Sequence, residues 1–244
     1  KSKGNVVDPH DLIQQYGADT VRLFSLFAAP PERDLEWNPQ GVEGSFRFLN
    51  RVFRLIQGNL DCFFTAEEEK ISIDTLPLTD RQLHRKTHQT IQRVTESIET
   101  NFHFNTAISG VMELVNQINA STGEGKKHPV GSSVLREALE MVLMLLFPMV
   151  PHFCEELWQV SGHTQPLETQ QWPSYDSAAV QEDELTIVVQ INGKVRSRLQ
   201  VAAGMKDDEL KKEALANERI MQFTAGKAPK KIIVVKGKLV NIVL

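Results

Sequence analysis

Residues 134–146 read Val134-Leu135-Arg136-Glu137-Ala138-Leu139-Glu140-Met141-Val142-Leu143-Met144-Leu145-Leu146. Val134, Leu135, Ala138, Leu139, Val142, Leu143 and Leu146 recur at helical spacing, so they share one face of a 3.6-residue helix. The same period runs through Phe46, Leu49, Phe53, Ile56 and Leu60. It returns in Leu83, Thr87, Ile91, Val94, Ile98 and Phe102, and again in Ile108, Val111, Met112, Val115 and Ile118. Four inward-facing stripes predict a helix bundle whose core needs no cofactor. The intervening stretches 65–78 and 120–131 have lengths that suit antiparallel neighbours. Pro148 and Pro151 end or kink the fourth helix, and a short helix is expected over 152–160.

Outward from the bundle the punctuation is local. Asp8-Pro9 is a turn signal. A short helix is expected over 11–16, closed by Gly17 in the left-handed conformation. Asp19 is a suitable N-cap for a second helix over 20–28, which Pro30-Pro31 ends. Residues 33–37 read as a short extended piece. Asn38-Pro39 opens the next helix, with a side-chain acceptor at the cap and proline at the first helical position. Thr79 is expected to cap the helix that carries Leu83.

After a turn-rich stretch at 162–181 the period changes. Leu185 to Ile191 is apolar and β-branched, Asn192-Gly193 is a hairpin turn, and 194–201 alternates. Residues 206–217 read as a helix with acidic residues in its first turn. Residues 231–236 and 239–244 form a second strand pair around Gly237-Lys238. The expected fold class is therefore mainly α, a helix bundle, followed by a small C-terminal α+β domain in the order strand, strand, helix, strand, strand.

Composition narrows the function. At 244 residues, 41% apolar and 24% charged, the chain is globular rather than disordered. The longest nearly unbroken apolar run, 141–150, is half of what a membrane helix needs, so no membrane association is expected. Cys62 and Cys154 form no C-x-x-C pair, which argues against a cysteine-only zinc site or a disulfide scaffold and favours a reducing cytoplasm. The net charge of −4 is unevenly spread. From Asp183 onward there are 12 Lys and Arg against 7 Asp and Glu; the remainder holds 15 against 24. A basic C-terminal module on an acidic body favours a polyanionic partner for the tail.

No complete active site is readable. There is no G-x-G-x-x-G, no P-loop and no H-E-x-x-H. His84 and His88 lie four apart on a helix, but no third ligand is evident and Arg81, Arg85 and Lys86 surround them, so no metal is expected. His152 with Cys154 reads as packing, and Glu155-Glu156 as a solvated helix face. Arg47, Arg51 and Arg54 share one helix face and can either line a nucleic acid or pair with acids on neighbouring helices, the second being favoured by the local excess of Asp and Glu. Lys1-Ser2-Lys3-Gly4-Asn5 puts two ammonium groups, a hydroxyl and a glycine in one stretch, a composition able to close over a triphosphate. The chain has no initiating methionine and reads as a piece of something longer.

Lys1-Ser2-Lys3-Gly4-Asn5-Val6-Val7-Asp8-Pro9 followed by Tyr16-Gly17-Ala18-Asp19-Thr20-Val21-Arg22 resembles the end of the K-M-S-K-S loop of class I aminoacyl-tRNA synthetases. Lys1 and Ser2 would be its last two letters, and the K-M-S before them is absent. Leu35-Glu36-Trp37, Gly41-Val42-Glu43-Gly44 and Arg47-Phe48-Leu49-Asn50-Arg51-Val52 look like the start of the anticodon-binding helical domain of the leucyl type. Residues 189–196 (Val-Gln-Ile-Asn-Gly-Lys-Val-Arg) and 236–243 (Lys-Gly-Lys-Leu-Val-Asn-Ile-Val) are similar to the tail of the bacterial leucyl-tRNA synthetases. The valyl and isoleucyl types are disfavoured because the tail ends in strands, with no long coiled coil and no four-cysteine zinc cluster.

The resemblance implies a division into 1–38, the end of a catalytic core; 39–161, an anticodon-binding-type helical domain; 162–182, a linker; and 183–244, a tRNA-binding tail. It implies a leucine–tRNA ligase that forms leucyl-adenylate from leucine and ATP with Mg2+ and transfers leucine to tRNA(Leu). Lys1 would stabilise the phosphates in the transition state, and Lys1 and Ser2 would bind ATP. The H-I-G-H motif and editing domain would lie upstream, so this piece is expected to be inactive alone, monomeric and cofactor-free. Lys194, Arg196 and Arg198 lie at alternate strand positions and could face one way; with Lys227, Lys230 and Lys231 they are the candidate tRNA contacts. A stand-alone RNA-binding module, or the equivalent part of a valyl, isoleucyl or methionyl enzyme, is the alternative.

Overall fold

The computed structural model describes residues 8–34, 38–65, 71, 73–122, 130–180, 184–202, 205–224, 229–235 and 238–244. The chain divides into two compact units, residues 1–180 and 181–244.

The first unit is helical: α1 (His10–Tyr16), α2 (Ala18–Ala28), α3 (Pro39–Gln57), α4 (Asp61–Thr65), α5 (Leu78–Asn101), α6 (Phe104–Thr122), α7 (Ser132–Leu146), α8 (Pro151–Val160) and α9 (Ser177–Val180). α5, α6 and α7 pack on one another as the bundle centre. The stripe on α7 is buried throughout, with Leu139, Val142, Leu143, Leu145 and Leu146 fully enclosed. On α3 the stripe is turned from the expected one. Val42, Ser45, Phe48, Leu49, Val52, Leu55 and Ile56 face the core, while Phe46 and Phe53 are 38% and 44% exposed. The buried set follows the same period centred one residue earlier, through Ser45, Phe48, Val52 and Leu55; two exposed aromatics mimic a core face.

Helix ends are held partly by their own caps and partly by neighbours. Asn38 behaves as expected, its Oδ1 accepting from the Gln40 amide at 2.9 Å with Pro39 at the first helical position. Asp19 does not cap α2, and Thr79 makes no cap for α5. Asp19 instead accepts from the Phe153 amide at 2.7 Å, in the first turn of α8. One turn on, Arg22 donates from Nε to the Met149 carbonyl at 3.1 Å and from Nη2 to Pro148 at 3.3 Å. So α2 places an anion at the amino end of α8 and a cation on the carbonyls that follow α7, the arrangement helix dipoles favour. Asp80, buried, likewise accepts from the Gly131 amide at the start of α7 at 2.9 Å.

Residues 162–180, expected within a linker, fold onto the first unit. The Trp158 indole donates to the Gln165 carbonyl, the Leu167 amide to Glu155, and the Trp172 indole to Thr95 Oγ1. Leu167 is 3% exposed. Turn residues signalled irregular backbone correctly; its attachment depends on partners far away in sequence.

The second unit is a four-stranded sheet in the order β2-β1-β4-β3, with β1 (Glu184–Ile191), β2 (Lys194–Ala202), β3 (Lys231–Val235) and β4 (Leu239–Val243). β1–β2 and β3–β4 are antiparallel hairpins joined side by side through a parallel β1–β4 pair. Asn192 and Gly193 both have positive φ, 49° and 79°, as a two-residue hairpin turn of the primed kind requires. Two helices, α10 (Asp207–Ala216) and α11 (Glu218–Thr224), lie between the hairpins in sequence; one was expected. They share a core with Ile187, Val189, Ile191, Val201, Val240 and Ile242.

Phe102 closes α5 in the left-handed conformation, φ 52° and ψ 34°, with its ring 62% exposed. A bulky side chain is strained there. Phe102→Gly should raise unfolding free energy by up to about 1 kcal/mol, and Asp19→Ala should lower it by about 1–2 kcal/mol; urea titration checks both.

Candidate nucleic-acid interface

Cross-strand partners share a face, so the register assigns every tail side chain to one side of the sheet. Val188 and Gln190 alternate with the buried Ile187, Val189 and Ile191 and so face away from α10 and α11. Val188 pairs with Arg198 on one side and Leu239 on the other, and Leu239 with Val235. Gln190 pairs with Val195 and Asn241, and Asn241 with Ile233. Lys231 pairs with Val243. The open face is therefore aliphatic and amide-bearing, with Arg198 on one edge strand and Lys231 on the other, about 14 Å apart laterally (three strand spacings) and offset by four residues along the strands.

The three cations expected to line up do not. The register slips between Val189 and Gln190, so Arg196 is the extra residue of a bulge. Val195 takes the place beside Arg198 on the open face. Arg196 stacks over the Phe223 ring of α11, its Cζ 4.3 Å from the centroid and its Nε buried without a hydrogen-bond partner. Lys194 sits opposite Ile191 at the hairpin end, off the open face, and is exposed. Lys230 is exposed and donates from Nζ to the Leu244 carbonyl at 3.3 Å. Lys1, Ser2 and Lys227 lie outside the described residues. The open face itself was missed by sequence reasoning, although 185–191 and 231–235 are apolar at almost every position, the mark of strands with two apolar faces.

On the first unit, α3 presents exposed Phe46 and Phe53 beside Arg47, Arg51 and Arg54. Phe46 and Phe53 line a cleft of about 430 Å³ with Tyr16, Asn50 and His152. Arg47 bridges to Glu43 of its own helix, Arg51 lies over the Phe48 ring, and Arg54 Nε donates to the Asn50 carbonyl. Among the described residues, these arginines show no ion pair with an acid on a neighbouring helix.

The remaining candidates have structural partners. Glu155 holds the Leu167 amide and Gln159, so it is no solvated face. Burial pushes the Cys62 thiol up to about 11 and the Cys154 thiol well above its ordinary range, which disfavours a reactive thiolate in either. His84 and His88 do have a third neighbour: Glu137 of α7, with Oε2 2.6 Å from His84 Nδ1 and Oε1 3.3 Å from His88 Nε2. The set has metal-ligand chemistry but the wrong tautomer. His88 Nδ1 accepts from the Asp176 amide at 3.0 Å, so the ring proton sits on Nε2, the atom a metal would need bare. Burial alone would raise the Glu137 carboxyl; hydrogen bonds from both histidines, joined by their charge where they are protonated, reverse that and hold it below its ordinary value.

A family model described as the anticodon-binding domain of tRNA ligase matches residues 80–213. The chain belongs to that family. Residues 1–38 match a second, tRNA synthetases class I (I, L, M and V). Over its whole length this anticodon-binding-family chain is 58% identical to a leucine–tRNA ligase of Desulfotalea psychrophila and 53% to one of Geobacter sp. strain M21. It spans 29% of the length of each. Among solved structures it matches the ternary complex of Agrobacterium radiobacter K84 agnB2 LeuRS with tRNA and LeuAMS. That match has a TM-score of 0.86 and 30% identity, and covers all of this chain and 31% of the other. The expected likeness to the leucyl enzymes is borne out.

Two outcomes follow. Arg196→Ala should cost about 0.5–2 kcal/mol of stability through the lost stack and stem packing, read by urea melts. Because the folded-state Glu137 carboxyl lies below its unfolded value, its contribution is present above about pH 4 and lost as pH falls further. Glu137→Gln should therefore be destabilised by about 1–3 kcal/mol at neutral pH, and the difference should shrink below pH ~4.

Proposed function

We propose that the chain is the tRNA-holding part of a leucine–tRNA ligase, an enzyme that joins leucine to ATP as leucyl-adenylate, releases pyrophosphate and esterifies the end of its tRNA. The observation that carries this reading is the open sheet face, joined to 58% identity over the whole chain with a leucine–tRNA ligase. A flat aliphatic surface accepts base planes, amides such as Gln190 and Asn241 offer hydrogen bonds, and Arg198 and Lys231 meet phosphates on either side. Phosphate contacts set position without reading sequence, and shape recognition suits a folded RNA. Arg51 and Arg54, with Phe46 and Phe53, would supply a further contact on the helical unit.

Lys1 and Ser2, as the end of the K-M-S-K-S loop, would contact the phosphates of ATP, which enters with Mg2+ as substrate. Lys1 would offset charge as pyrophosphate leaves. The match of residues 1–38 to class I synthetases supports this role. The full enzyme is taken to act as a cytoplasmic monomer; among the described residues no helix is long and apolar enough to cross a membrane.

The test is binding of the chain to leucine tRNA and to other tRNAs at two salt concentrations. Affinity should fall by about 0.9 log unit per log unit of salt for each duplex-like phosphate neutralised. Arg198→Glu and Lys231→Glu should each weaken binding and flatten that slope, whereas Arg196→Ala should leave the slope unchanged. Equal slopes for all three variants would remove the open face from the interface.

A further inference from the structure

Residues 163–180 lie on the helical unit as a strap, and their attachment is polar. Asp176 donates its amide to His88 Nδ1 at 3.0 Å, Gln89 Nε2 donates to the Val180 carbonyl at 3.2 Å, and the Trp172 indole donates to Thr95 Oγ1 at 2.8 Å. From 170 to 178 only Pro173 is even partly buried; the apolar anchors are Leu167 at one end and Ala179 at the other. Segments held by exposed hydrogen bonds and few apolar contacts open first.

We propose that this strap is a releasable clasp and that a second proton on His88 is what opens it. Nδ1 can accept the Asp176 N–H only while it carries a lone pair, and Nε2 already bears the ring proton facing Glu137. A proton arriving from solvent therefore goes to Nδ1. There the new N–H faces the Asp176 N–H, and the amide must turn to solvent. Histidine is the side chain suited to such a change near neutral pH.

Titratable and charged groups surround His88 on several sides. From α7, the Glu137 carboxylate faces His88 Nε2 at 3.3 Å. From α5 itself, the His84 ring lies 4.5 Å from the His88 ring and shares Glu137; the cations Arg81, Arg85 and Lys86 lie on the same helix. Lys86 is neutralised by Glu113 of α6, which also takes Arg93. On the strap, the Asp176 carboxylate is turned to the Ala178 amide at 2.8 Å, and α9 (Ser177–Val180) carries no titratable side chain. At the far end of the strap Glu140 of α7 faces His163 at 3.3 Å and Arg136 at 2.7 Å.

Opening changes the tether of the second unit. β1 begins at Glu184, four Cα steps beyond Val180, a reach of at most about 14 Å. Freed back to Leu167 the connection has seventeen steps and an average span of roughly 20 Å. Acidification thus lengthens the chain free to move before β1 while the bundle core stays folded.

The experiment is amide protection, measured by NMR on the whole chain at about pH 8 and about pH 5.5 and expressed relative to intrinsic exchange. Protection of the Asp176 and Val180 amides should fall at least tenfold at the lower pH, while Leu114 and Val142 in the bundle centre stay protected. His88→Asn, which keeps an acceptor that cannot titrate, should hold the strap at both values. If that variant does not fold, Glu137→Gln should shift opening to lower pH by removing the anion. Unchanged protection in the wild type, parallel loss at Leu114 and Val142, or a strap in His88→Asn that still opens with acid would each overturn the proposal. No RNA enters the measurement, so its failure leaves the tRNA reading untouched.

Discussion

α7 is apolar around most of its circumference, and that one fact organises the helical unit. Such a helix must be enclosed, and enclosing it removes water from its polar ends and from the few charges it carries. Each of those groups then needs a partner from another element. Asp80 meets the amide before its first turn, and Arg22 meets the carbonyls just beyond its last. Glu137 is shared by two histidines of α5, and Glu140 by Arg136 and His163. The strap that follows α8 is fastened through these same groups. Burial of one helix thus fixes the position of α2, α5, α8 and the strap together.

The tail follows a different constraint. A small sheet with helices on one side covers only half of its area, and strands that are apolar on both faces leave an aliphatic surface in solvent. Exposed aliphatic area ringed by polar groups is the usual mark of a contact surface. Its cations stand at the two edges and the amides between them, which suits a broad, phosphate-bordered partner better than a small molecule.

What the sequence disclosed, and what it withheld, divides along range. Asn38-Pro39 and Asn192-Gly193 act within a few residues, and both formed as read. The α7 stripe was unmistakable because nearly every position on it is apolar. On α3, the spacing of Phe46 and Phe53 mimics a core face, because hydrophobicity alone cannot tell a buried ring from one in an open cleft. Asp19 and Thr79 sit where local caps would, while the bonds that form join Asp19 to Phe153 and Asp80 to Gly131, over a hundred and some fifty residues away. The alternation of Lys194, Arg196 and Arg198 presumed an unbroken ladder, and a single inserted residue turned Arg196 inward. Glu137 could not be matched to His84 and His88 until α5 and α7 were packed.

The most direct test of the central claim is to map where leucine tRNA touches the tail, by following NMR chemical shifts of the whole chain as the RNA is added at low salt. Changes centred on Val188, Gln190, Val195, Ile233 and Asn241, with Arg198 and Lys231 at the margins, are the result expected. Changes confined to α11 around Met221 and Phe223, with the open face silent, would contradict it.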